Sequence, residues 1–357
     1  METTPRVLRV DDPASLLAGV PYLLGFLPDD DIVVVVTTPS TRRVALTMRL
    51  DLPAAGEHRD RDIDGTVEAL AAPLRRMPEA RAYVVLYPAG AGGQPPPGRP
   101  TGQDDLVAAL LVGLEAAGAQ LGDVLIVAGG RWWSALCGEP GCCPPDGRPL
   151  DTEQAWRVRA ELVAAGRAPA ASRAQVQARV DALPADDTEA LRELCARERD
   201  AVAGGERDLG ERVEAMLELA CRGPLAGQAP LDELAGFYGG MAHLAVRDVV
   251  VGELLRAEAL LLAQGGADVD GRTLAREAFV ALTRRAPAGF VAPVATCAAV
   301  LAYTSGEGAL AWSAWDRAVA DDPAYSLALL LESAMRGGLP PHELRSAFTA
   351  FLEVVPV

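Results

Sequence analysis

The chain has 357 residues, half of them hydrophobic and 23% charged, which is enough for a large folded core and for two domains. Asp and Glu number 49 against 33 basic residues, and the formal charge of −16 opposes binding to nucleic acid and to anionic membrane surfaces. Every basic residue is arginine, which excludes chemistry that needs a lysine amine, such as Schiff-base catalysis or a P-loop.

The N-terminal sequence, METTPRVLRVDD, lacks the basic start and apolar core of a secretory signal. Six cysteines in a chain of this length are also too few for a disulfide scaffold. We therefore expect a cytoplasmic protein whose cysteines are reduced core thiols or ligands of a metal cluster, and the sequence predicts no cofactor.

Strand and helix patterns alternate through residues 1–150. Arg6–Val10 predicts a short strand, and Asp12 followed by Pro13 predicts the start of a helix that runs to about Leu24. Further strands are predicted at Ile32–Thr37, Val44–Leu50, Ala82–Tyr87 and Val124–Ala128, and helices at Ile63–Met77 and Asp104–Ala117. This order predicts a three-layer α/β domain with a mixed sheet.

Residues 151–357 show only helical patterns, which predicts an all-α domain. Near its end a pattern of small, aromatic and apolar residues followed by proline repeats after 36 residues, and it resembles the second helix of a tetratricopeptide repeat. We therefore expect stacked helix hairpins, with Trp315 buried against the preceding helix. The repeated positions are Ala275, Phe279, Leu282 and Pro287, then Ala311, Trp315, Ala318 and Pro323.

Three segments together carry a family resemblance. They are Pro21–Phe26 (PYLLGF), the pair Arg247-Asp248, and Gly306–Trp312 (GEGALAW) leading to Asp322–Ala328 (DPAYSLA). The chain thereby resembles an actinobacterial family described as domain of unknown function number 4192. The resemblance covers almost the whole chain and implies an architecture and a bacterial cytoplasmic setting, but no activity.

The oddest stretch of the sequence is a turn with three cysteines, Cys137, Cys142 and Cys143, next to Trp132 and Trp133. Thiolates at this spacing are candidate ligands for Zn²⁺, but three cysteines leave a tetrahedral site one ligand short. Adjacent residues point in different directions, so we expect only one of Cys142 and Cys143 to reach Cys137. The sequence favours reduced or reversibly oxidised thiols over a metal site.

Charged residues inside apolar helical patterns are the candidate ligand-binding residues. Arg247 and Asp248 interrupt the run LAVRDVVVGELL, His243 lies one helical turn before Arg247, and Glu307 lies between two glycines. An internal salt bridge is the alternative for Arg247 and Asp248, and a helix-start charge is the alternative for Glu307.

Two functions remain open from the sequence. The first is a non-catalytic module that binds a protein partner or a small molecule through its helical half. The second is a hydrolase-like or thiol-dependent enzyme whose site lies at the sheet edge, near Tyr87–Asp105 and the three-cysteine turn. The sequence contains no G-x-S-x-G, H-E-x-x-H, G-x-G-x-x-G or Walker A pattern, which favours the binding module.

Overall fold

The computed structural model describes residues 12–354 apart from 39–43, 78–79, 91, 95, 97, 205–208 and 264–268. The predicted strand at Arg6–Val10 lies outside the described residues. The chain divides into two compact units. The first contains the described residues up to Arg173 together with Arg336–Pro340, and the second contains Ala174–Met335 and the described residues from Pro341 onward. The sequence patterns predict the change from α/β to helical structure at Leu150, ahead of the boundary between the units at Arg173.

The first unit is built on a mixed sheet, as the sequence predicts, and the sheet has six strands. Its order is β2-β1-β3-β4-β5-β6. Strand β1 is antiparallel to both β2 and β3, β3 and β4 are parallel, and β5 and β6 are antiparallel to their neighbours. The strands are β1 (Asp31–Thr37), β2 (Val44–Asp51), β3 (Arg81–Tyr87), β4 (Gln120–Ala128), β5 (Arg131–Ser134) and β6 (Arg148–Pro149).

Both faces of the central strand β1 are buried. Ile32, Val34 and Val36 of β1 pack with helices α2 (Arg59–Leu74) and α3 (Asp104–Ala116). Val33 and Val35 point to the opposite face and are also fully buried. The continuous β-branched run of β1 therefore has the burial that its sequence predicts.

Helix α1 (Pro13–Leu24) begins and ends as the sequence predicts. The Asp12 side chain accepts a hydrogen bond of 3.0 Å from the Ser15 N–H, and Pro13 occupies the first turn. Gly25 ends the helix with a φ of +84°, a conformation that favours glycine. Helix α4 (Glu153–Ala164) packs against α1 in this unit, around Ala18.

The second unit consists of helices in its described residues. The α-helices are α5 (Arg173–Ala178), α6 (Thr188–Ala203), α7 (Leu209–Ala220), α8 (Leu231–Met241), α9 (Leu244–Ala263), α10 (Val269–Arg285), α11 (Val291–Thr304), α12 (Gly308–Asp321), α13 (Ser326–Arg336) and α14 (Pro341–Val354), with a 3-10 helix at Gly223–Gln228. No described helix is long and apolar enough to cross a membrane.

The two aromatic positions of the 36-residue pattern differ in their surroundings. Phe279 is fully buried and packs edge-on against Phe237. Trp315 is only partly buried, and its Nε1–H donates a hydrogen bond of 2.9 Å to the Ala328 carbonyl of α13. The expectation that Trp315 is buried is therefore corrected, because its side chain is partly exposed and its indole N–H bonds to the helix that follows.

Arg59 joins the start of α2 to the segment that leads into α3. Its guanidinium donates to the Asp105 carboxylate through Nε (2.5 Å) and Nη2 (2.9 Å), and to the carbonyls of Pro53 and Gly102. This bidentate pair lowers the pKa of Asp105 to about 2. The end of the long Pro88–Gly102 connection is thereby fixed.

We predict that Arg59→Met lowers the free energy of unfolding by about 1–3 kcal/mol, because two carbonyls and a carboxylate lose a charged donor. Arg75→Met is the matched control. Its bidentate pair with Glu68 is more than half exposed on both sides, so solvent screens it and this variant should lose much less stability than Arg59→Met. Urea unfolding measures the free energy of unfolding of both variants. Equal losses would contradict the role of Arg59 in fixing the segment before α3.

The Arg59 effect should also depend on pH. A carboxylate with a lowered pKa stabilises the fold above its unfolded pKa of about 3.9. This stabilisation is lost as the pH falls towards 2. The difference between wild type and Arg59→Met should therefore shrink over this range, and a constant difference would contradict the pairing.

Candidate functional site

Arg247 and Asp248 lie in the first turns of α9, where the apolar run predicted a helix. The Arg247 side chain is buried, with 5% of its surface exposed. Its Nε and Nη2 atoms donate to Asp248 Oδ1 at 2.7 and 2.5 Å. The salt bridge that the sequence offered as one alternative is therefore present.

Arg247 also reaches a residue far away in the sequence. Its Nη1 donates a hydrogen bond of 2.5 Å to the Tyr325 hydroxyl, and its Cζ lies 5.5 Å from the centre of the Tyr325 ring. Tyr325 precedes α13 in a turn where Asp322 accepts a hydrogen bond from the Ala324 N–H. One guanidinium thus joins α9 to the start of α13.

Burial favours the neutral forms of the Tyr325 hydroxyl and of a neighbouring thiol, Cys297. It raises the pKa of the Tyr325 hydroxyl to about 12, with Arg247 offsetting part of the rise. It likewise raises the pKa of the Cys297 thiol, on α11, to about 12. Because both groups stay protonated near pH 7, neither is a nucleophile or a general base there.

A groove of about 320 Å³ opens beside the Arg247 cluster. Arg247, Asp248 and Ser326 supply its polar groups, and the remaining lining is apolar. Leu330 is 68% exposed. We call this cavity the α13 groove; its apolar lining residues are Val300, Leu327, Leu330, Leu331, Leu344, Ala347 and Phe348.

The α13 groove has hydrogen-bonding capacity at its polar groups. In the described part of the chain, the contacts to Asp248 and Tyr325 use three of the five N–H groups of Arg247. Asp248 is itself partly exposed, at 22% of its side-chain surface. The groove can therefore hold the apolar body of a ligand, and the Arg247 guanidinium can donate to an oxygen acceptor on the same ligand.

His243 and Glu307 lie apart from this cluster. The His243 ring Nε2 is 2.8 Å from the Arg199 carbonyl of α6. Glu307, at the start of α12, pairs with Arg276 at 2.7 Å and with Arg179 at 3.4 Å. Of the four ligand-binding residues predicted from the sequence, the structure thus brings only Arg247 and Asp248 into one site.

Sequence reasoning missed Tyr325 and the leucines of α13. Tyr325 lies in the DPAYSLA segment, so its role was signalled by the family resemblance and not by any chemical pattern. The leucines read as an ordinary helix face. These leucines line a groove only because α14 leaves part of the α13 surface uncovered.

The three-cysteine turn brings all three thiols together. The sulfur atoms of Cys137, Cys142 and Cys143 lie within 4.8 Å of one another. The N–H groups of Cys142 and Cys143 both donate to the Glu139 carbonyl, at 3.0 and 2.7 Å, and this tight turn directs both side chains towards Cys137. The expectation that only one of the adjacent cysteines reaches Cys137 is therefore wrong.

The thiols of this turn differ in acidity. Hydrogen bonds from the Glu139 backbone and from Cys143 lower the pKa of Cys137. Burial, followed by the hydrogen bond with Cys137, raises the pKa of Cys143 to about 11. Cys137 is therefore the first thiol of the pair to ionise.

The sheet topology separates the two segments of the predicted enzyme site, the Tyr87–Asp105 connection and the three-cysteine turn. Tyr87 ends β3, so the Tyr87–Asp105 connection leaves from the carboxyl ends of the parallel strands. Strand β5 is antiparallel to β4, with Ser134 paired to Leu125, so the chain leaves β5 in the opposite direction. The described residues of the two segments therefore do not come together in one site.

Residues 13–342 match the family described as Domain of unknown function (DUF4192). The chain belongs to this family. No curated protein and no solved structure matches it. The DUF4192 region contains Arg247, Asp248, Tyr325 and the three-cysteine turn, so both clusters lie within the family's own sequence.

We predict that Asp248→Asn destabilises the protein by about 2–3 kcal/mol, because it leaves the buried Arg247 charge without a carboxylate. Glu253→Gln on the same helix is the control. Glu253 and its partner Arg256 are both more than a third exposed, so this change should cost less than about 1 kcal/mol. Equal urea unfolding midpoints for Asp248→Asn and Glu253→Gln would contradict the burial of the Arg247–Asp248 pair.

Proposed function

We propose that the chain is a cytoplasmic, non-catalytic binding protein whose helical unit takes a small amphipathic molecule in the α13 groove. The observation that carries the proposal is the pairing of an apolar cavity with the buried but incompletely used Arg247 guanidinium. A ligand of this kind has an aliphatic or aromatic body and an oxygen acceptor, such as a carboxylate, as its head.

The size of the groove supports a small molecule over a protein partner. Its volume of about 320 Å³ lies at the lower end of small-molecule sites, which span roughly 300–1,000 Å³. A stable protein interface buries about 1,200 Å² or more, and this requires a larger complementary surface. A protein partner, the other form of the binding hypothesis, becomes an outcome of the test.

The chemistry of the cluster supports binding without catalysis. The Tyr325 hydroxyl and the Cys297 thiol, each with a pKa of about 12, stay protonated near neutral pH. Asp248 is engaged by Arg247 through two hydrogen bonds. The formal charge of −16 disfavours nucleic acid and anionic membrane as partners.

Anilinonaphthalene sulfonate tests the proposal, because it combines an aromatic body with an anionic head and fluoresces when bound to apolar surface. We expect saturable binding at one site. Leu330→Gln should weaken this binding about 10-fold, since an apolar side chain that covers a ligand contributes about 1.5 kcal/mol or more. The fold should survive because Leu330 is largely exposed.

Leu225→Gln is the matched control, because Leu225 is 60% exposed in the same unit and lies outside the groove. It should leave the dissociation constant unchanged. Equal weakening by both variants, or binding that does not saturate, would contradict a specific site. Loss of a co-purifying protein on Leu330→Gln, without any effect on the dye, would favour a protein partner.

A further inference from the structure

The three-cysteine turn has the chemistry of a metal centre and lies in the first unit, whereas the proposed ligand groove belongs to the second. Its three sulfur atoms lie within 4.8 Å of one another. Around a tetrahedral Zn²⁺ with Zn–S bonds of about 2.3 Å, sulfur atoms are about 3.8 Å apart. Each sulfur therefore needs to move by about 1 Å or less to reach binding geometry.

The backbone around the thiols is held in place before any metal binds. The Trp133 Nε1–H donates to the Pro145 carbonyl at 2.8 Å, and Arg148 Nε donates to the Cys142 carbonyl at 2.5 Å. Gly147 has a φ of +72°, and a Cβ there would lie 2.5 Å from the Trp133 ring. The turn is thus fixed against the indole of β5, which reduces the entropy that ligand ordering costs.

The number of thiols favours a metal over a disulfide. A disulfide joins two sulfurs and leaves the third cysteine of the cluster unpaired, whereas a metal ion uses all three. Thiolates are soft ligands and select Zn²⁺ among the common divalent ions. Arg148 and Arg131, which both donate to carbonyls of this turn, place positive charge near a centre of net charge −1.

We propose that Cys137, Cys142 and Cys143 bind one Zn²⁺ through three thiolates, with the fourth position open to an exogenous ligand. Binding replaces three S–H bonds by three S–Zn bonds and releases three protons. Among the described residues no further His, Cys, Asp or Glu joins the cluster, so water takes the fourth position. Cys142 is exposed and gives the ion a path of entry. Because the three thiols converge, a metal site replaces the metal-free turn that the sequence favours.

Zinc titration of the reduced, chelator-treated full chain, followed by native mass spectrometry, tests the proposal. We expect one Zn²⁺ per chain. Cys142→Ser and Cys143→Ser should each abolish the one-to-one complex. Cys221→Ser is the matched control, because Cys221 is an exposed free cysteine of the other unit, and it should bind zinc as wild type does.

Cadmium as a second probe separates loss of the site from loss of the fold. The thiolate-to-cadmium absorption band of wild type should correspond to three thiolates and should persist in Cys221→Ser. Far-UV circular dichroism of metal-free Cys142→Ser should match wild type. Wild type that binds no zinc, or a Cys142→Ser variant that still binds one equivalent, would each overturn the proposal.

Discussion

The buried guanidinium of Arg247 is the constraint on which the arrangement of the proposed site depends. A charge removed from water destabilises a protein unless it is paired, so the helices around it must supply partners. Asp248 supplies the opposite charge and Tyr325 supplies a hydroxyl and a ring face. Because Tyr325 precedes α13, satisfying Arg247 also fixes where α13 begins. The α13 groove is the space left between this helix, α11 and α14.

Arginine as the sole basic residue shapes both clusters. Its planar fork donates several hydrogen bonds in fixed directions, and a lysine ammonium does not. In the helical unit this fork satisfies Asp248 and Tyr325 together. In the α/β unit, Arg59 and Arg148 use the same fork to donate to backbone carbonyls. Arginines therefore position the segments that carry the candidate chemistry in each unit.

Much of the fold could be predicted from local patterns, and the sites only in part. The β-branched run of β1 and the Asp12 cap of α1 act within a few residues, so their signals lie in the sequence itself. Strands β5 and β6 are not predicted because each is short. The turns that join them to their neighbours also have no regular sequence pattern. The partner of Trp315 and the convergence of Cys142 with Cys137 depend on backbone direction, which residue type does not encode. Arg247 could be predicted as a site residue because a charge inside an apolar run is unusual. Tyr325 could not, because only the turn before α13 brings it to Arg247.

The most direct test of this account is a ¹H–¹⁵N and methyl NMR titration of the full chain with anilinonaphthalene sulfonate. The buried Arg247 Nε–H gives a side-chain signal of its own, and the leucine methyls report on the groove lining. The account predicts saturable shifts of Arg247 Nε–H together with the methyls of Leu330, Leu331 and Leu344, all with one dissociation constant. Shifts confined to the α/β unit, or methyl shifts that leave the Arg247 signal unchanged, would contradict it.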